Sequence, residues 1–132
     1  MTKETASLIK YRLKEAEDSI EEARVLLREN MSLRAVMNRL YYAMFYAVLA
    51  LLQEKQLGTS KHAGAISLFD KEFVKNGVFD KEFSTALHYA FELRQKGDYM
   101  EEVTISREDI DEIFPKAIAF VTKSKEYLLK QP

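Results

Sequence analysis

The chain has 132 residues, 47% of them hydrophobic and 31% charged, with four Gly, two Pro and no Cys. That profile fits one compact helical domain over residues 1–132; the missing cysteines exclude disulfide stapling, thiolate metal sites and cysteine nucleophiles. A net charge of -1 excludes a global positive field, so any nucleic-acid contact has to be local.

In chain order, Ile9, Leu13, Ala16, Ile20, Ala23 and Leu27 recur at spacings of four and three with charges between them, which predicts an amphipathic helix with one buried seam. Asn30 is placed to close it and Ser32 to cap the next helix, giving a tight antiparallel hairpin. The second helix is expected from about Leu33 to Lys55. Stepping about 100° per residue gives it two apolar faces. One carries Leu33, Val36, Met37, Leu40, Met44, Ala47 and Leu51; the other carries Arg34, Asn38, Tyr41, Tyr42, Phe45, Val48, Leu49 and Leu52. A helix apolar all round must be covered all round, so Tyr41, Phe45, Val48 and Leu52 are expected to face a second copy in a homodimer. The uninterrupted apolar run Leu40–Leu52 falls short of the roughly 20 residues that cross a bilayer. With no signal-peptide pattern in Met1–Lys14, a cytoplasmic protein without membrane attachment is expected.

A third helix is expected from about Lys61 to Asn76, with His62, Ile66, Phe69 and Phe73 on one face and Gly77 ending it. Asp80 should cap a fourth helix that aligns Phe83, Leu87, Ala90 and Arg94, with Gly97 as its terminator and His88 paired to Glu92 on its outer side. In the last helix Ser106 and Asp109 resemble a capping box, Ile110, Ile113, Phe114, Ala117, Ile118, Val121 and Leu128 form the buried side, and Pro115 should bend the helix or mark its start. The fold class is therefore all-α, an antiparallel bundle of about five helices.

Chemistry-bearing patterns are few. With only His62 and His88 there is no dense ligand set for a metal, and no cofactor is called for. Gly-rich phosphate loops and the G-x-S-x-G elbow are missing from the sequence. What remains is polar residues in apolar company. Arg94 ends an apolar face, either as a snorkelling residue near a helix end or as a bidentate phosphate ligand. Asp98 either pairs with an arginine or acts as a catalytic carboxylate, and Tyr99 either packs or donates its hydroxyl. His62, after Lys61 at a helix start, reads as a packed half-buried histidine or as part of an anion site. Asn38 reads as a buried residue that fixes helix pairing or as a ligand contact, and Arg39 as a polar residue within reach of Asp98.

Taken together, Arg39 through Phe45 (Arg-Leu-Tyr-Tyr-Ala-Met-Phe), Ser60-Lys61-His62, and Arg94 followed by Asp98-Tyr99 make the chain resemble the HEPN domain family, specifically its small stand-alone prokaryotic members, over most of its length. The resemblance implies a bundle of about five helices, dimerisation, and binding of nucleotides or RNA, with Arg94, Asp98, Tyr99, Asn38, Arg39, Lys61 and His62 as candidate contacts. It also implies partnership with a minimal nucleotidyltransferase in a toxin–antitoxin type system. Many members are metal-independent ribonucleases that use an Arg, four to six intervening residues and a His. Here Gln95, Lys96, Gly97, Asp98, Tyr99 and Met100 follow Arg94 without a His, which favours binding over general acid–base cleavage. A divergent ribonuclease toxin and a ligand-free helical adaptor are the alternatives.

Overall fold

The computed structural model describes residues 1–59, 61–99 and 104–131, apart from the side chains of Asp98 and Tyr99. Among them are five helices and no strand: α1 Lys3–Arg28, α2 Leu33–Glu54, α3 His62–Phe69, α4 Lys81–Tyr99 and α5 Arg107–Leu129, with α3 running on into a π turn over Asp70–Val74. The all-α bundle is as expected.

The connections follow from local chemistry. Asn30 takes a left-handed φ of 57°, which lets the Met31 amide reach back to the Leu26 carbonyl at 2.9 Å and close α1. Two residues later the Ser32 hydroxyl accepts from the Ala35 amide at 3.1 Å and starts α2. The chain thus reverses within a few residues, and α1 lays its seam of Ile9, Leu13, Ala16, Ile20 and Ala23 into the core. Gly77, at φ +84°, ends the α3 segment in a conformation that costs other residues more.

α2 is the axis of the bundle and contacts each of the other four helices. By length and composition it could cross a membrane, contrary to what its central apolar run implied; in this fold most of its side chains are buried as the core. The expected dimer face is also corrected. Tyr41, Phe45, Val48 and Leu52 are at most 6% exposed within the single chain. A helical wheel counts apolar faces but not the elements that return to cover them, and here His62 of α3 and Phe91 of α4 pack on Tyr41. Beyond Leu33 at its start, the half-buried large hydrophobics of α2 are instead Tyr42, Tyr46 and Leu49.

Three further expectations change. Gly97 does not terminate α4, which continues to Tyr99. It is buried where α4 crosses the start of α2: a Cβ there would lie 3.3 Å from Arg34 Cδ, so glycine serves close approach, and the Gly97 carbonyl accepts from Arg34 Nη1 at 3.0 Å. His88 pairs through Nε2 with Asp70 of the π turn at 2.6 Å rather than with Glu92, which Lys96 engages at 2.7 Å. α5 begins after Ser106 with a complete capping box, and Pro115 lies inside the helix rather than at its start. Phe120 of α5 joins Phe69, Phe73 and Phe79 in a buried aromatic cluster with neighbouring centroids 5.2 to 6.1 Å apart.

Candidate functional site

Three helices bring their polar residues to one place. α2 presents Asn38, Arg39, Tyr41, Tyr42 and Phe45 at spacings of three and four, hence on neighbouring stripes of one helix. α3 opens on His62, and α4 supplies Arg94. Tyr41 is fully buried, and its hydroxyl lies 2.8 Å from His62 Nδ1. The imidazole is clamped in a parallel stack on Phe45, with centroids 4.0 Å apart and planes 6° from parallel, and meets Tyr42 edge-on at 5.8 Å. Its orientation is therefore fixed by contacts on both a ring face and a ring edge.

Two guanidiniums converge on Tyr42. Cζ of Arg39 and Cζ of Arg94 each lie 5.1 Å from the Tyr42 ring centroid, and Arg94 also lies 5.5 Å from that of Tyr41. Arg39 is held by Asn38 Oδ1, which accepts from Nε at 3.1 Å and Nη2 at 2.7 Å, and by Glu22 of α1 at 3.3 Å. Asn38 thus serves to orient its neighbour, not to pair helices. Arg39 also walls a groove of about 430 Å³ with Glu22, Val25 and Leu26.

Burial, reinforced by the Arg94 charge, holds His62 below its ordinary pKa of 6.5, so the ring is neutral at physiological pH. Burial pushes the Tyr41 hydroxyl well above its usual value, and Tyr46 is raised by burial and then by Glu15. Both phenols keep their protons. The result is a neutral imidazole beside two cations and an aromatic face, a surface suited to an anionic group attached to something flat. Among the described residues no three His, Asp or Glu gather to hold a metal ion.

The structure thus brings Asn38, Arg39, His62 and Arg94 together, while Lys61 stands exposed directly before α3. The candidate side chains Asp98 and Tyr99 lie outside the described residues, as does Ser60. Tyr41 and Phe45, assigned from sequence to a dimer seam, form the inner wall of this site. Their signal was in the sequence only as aromatic residues one turn apart on the Asn38 side of α2, a pattern that packing alone also produces.

Residues 9–127 match the HEPN domain family. The chain belongs to that family. Relatives of this HEPN protein include a UPF0332 protein of Thermotoga maritima, 39% identical over 118 residues, 89% of each chain. "Putative toxin MJ0142" of Methanocaldococcus jannaschii is 34% identical over 119 residues, covering 90% of this chain and 80% of its own. A second protein of that organism, "Putative toxin MJ0605", is 34% identical over 113 residues, covering 86% and 83%. The HEPN match spans every residue of the site, from Asn38 to Arg94.

Proposed function

We propose that this HEPN protein binds a phosphate-bearing ligand, a nucleotide or RNA, at the Arg39–His62–Arg94 surface, and acts with a minimal nucleotidyltransferase in a toxin–antitoxin type system. The observation that carries the binding reading is the pair of guanidiniums on Tyr42 beside a neutral, clamped imidazole. Arginine fits phosphate oxygens bidentately, and a guanidinium plane can itself stack on a base. The toxin reading is supported by the names of the two Methanocaldococcus jannaschii relatives. Isothermal titration of a nucleotide and of a short RNA tests the binding. Arg94→Ala should weaken it by at least about tenfold, the size of one charge-assisted contact, without a comparable loss of helicity. Retained affinity in that variant rejects the site. Co-purification from the native host tests the partnership: a minimal nucleotidyltransferase in the eluate supports it, and none counts against it.

A homodimer in the cytoplasm is part of the proposal, with its seam moved to the half-buried stripe Tyr42, Tyr46 and Leu49. Leu49→Glu should then give a folded monomer in analytical ultracentrifugation, and an unchanged sedimentation coefficient counts against that seam.

Ribonuclease activity is the second reading. It is favoured by His62, which touches the same two tyrosine rings as Arg94 and so supplies from α3 the imidazole missing after Arg94. Metal-free incubation with RNA decides it: cleavage abolished by both Arg94→Ala and His62→Leu supports it, and intact RNA removes it.

A further inference from the structure

We propose that Tyr41 fixes His62 as a hydrogen-bond donor: the buried hydroxyl donates to Nδ1, the ring proton sits on Nε2, and Nε2–H is the group offered to a phosphoryl oxygen beside Arg94. The inference rests on the phosphate-binding reading above and assigns one atom's role within it.

The direction of the bond follows from burial. Tyr41 is fully enclosed, so its hydroxyl proton must find an acceptor inside the protein, and His62 Nδ1, at 2.8 Å, is the hydrogen-bond partner it has. If Nδ1 carried the ring proton instead, the phenol oxygen would accept it and its own proton would be left buried and unsatisfied. The depressed basicity of His62 and the raised pKa of Tyr41 agree with a neutral–neutral pair. The parallel stack on Phe45 then fixes the plane in which Nε2–H lies. His62 is half-buried, and its Tyr41 bond and Phe45 stack account for Nδ1 and one ring face, leaving Nε2 as the nitrogen to which no bond is assigned among the described residues. A ring held this way is a poor general base at Nε2 and a preorganised donor.

The test has two arms. In the free protein, long-range ¹H–¹⁵N correlation of the histidine rings at pH 8 should show His62 as the Nε2–H tautomer, and Tyr41→Phe should admit the other tautomer while the helical spectrum is kept. An Nδ1–H signature in the unaltered protein overturns the inference. In the second arm, adenosine 5′-monophosphate and adenosine are titrated as probes. His62→Gln, whose amide nitrogen stands near the Nε2 position, should bind the phosphorylated probe within about threefold of the unaltered protein, whereas His62→Leu should lose about tenfold and approach adenosine. Equal affinity of His62→Leu and the unaltered protein overturns the donor role and leaves the binding site standing. If the unaltered protein binds neither probe, the binding reading falls and the donor role with it, while the tautomer is still read independently in the first arm.

Discussion

His62 and Gly97 show how much one residue's setting decides. A histidine held below its ordinary pKa of 6.5 by burial and by Arg94 resists protonation in the folded state, whereas the unfolded chain accepts the proton. Stability is thus fully present above about pH 6.5 and is lost as pH falls through the depressed folded value. The groups facing the ring are Tyr41 and Tyr42 from α2 and Arg94 from α4. Thermal melts at pH 7.5 and 5.5 should therefore show a larger acid-induced drop for the unaltered protein than for His62→Gln. Equal drops would mean that the ring is not buried as described. At Gly97 a bulky substitution such as Leu should push Arg34 off the Gly97 carbonyl and destabilise α4 against α2, measurable by urea denaturation. Sequence alone marked both residues but misassigned Gly97, since a glycine near a helix end reads the same whether it permits a positive φ or a close approach.

At the scale of elements, the polar tie between α4 and α5 among the described residues runs through one carboxylate. Asp109 accepts from the Ser106 amide at 2.9 Å to complete the capping box and also from the Tyr89 hydroxyl at 2.6 Å. Burial opposes its charge, but the bonds from Tyr89 and Ser106 outweigh that and hold its carboxyl below the ordinary 3.8; Tyr89 is in turn pushed up to about 12 by the Asp109 hydrogen bond and by burial. Asp109→Ala should cost about 1–2 kcal/mol through the lost cap and the severed tie. The unaltered protein should lose that increment as pH falls through the depressed carboxyl value, and chemical denaturation at pH 7 and pH 3 checks it. The box itself was legible as Ser106 and Asp109 three apart. The link to Tyr89 was not, because nothing in a linear pattern says which neighbour a helix's exposed tyrosine meets. The same holds for Asp70, which joins Ser84 at 2.6 Å and His88 at 2.6 Å across the α3–α4 connection. Both partners were chosen by packing, and the spacing of His88 and Glu92 pointed elsewhere.

For the whole molecule, the two apolar faces of α2 were read correctly, and the conclusion drawn from them was not. Phe45 and Val48 are 6% and 0% exposed within the single chain. A charged residue at either should unfold the bundle rather than split a dimer, since an unpaired buried charge costs several kcal/mol, a large part of a domain's stability. Circular dichroism of Val48→Asp should show lost helix, and a folded monomer instead would restore the original assignment. The topology was legible because capping residues, a left-handed Asn30 and a positive-φ Gly77 punctuate it. The site was legible only as a set of residues, since the Tyr41–His62 bond spans 21 positions and depends on how α3 returns onto α2.

That one helix both anchors the core and walls the site has a genetic consequence. Random substitutions along Arg39–Phe45 will mostly remove the protein from the cell by misfolding, because Leu40, Tyr41, Ala43 and Met44 are fully buried there. A screen for inactive but abundant variants should therefore be sparse in α2 and enriched at Lys61, His62 and Arg94. The two classes of lesion would separate by protein level as well as by position along the chain.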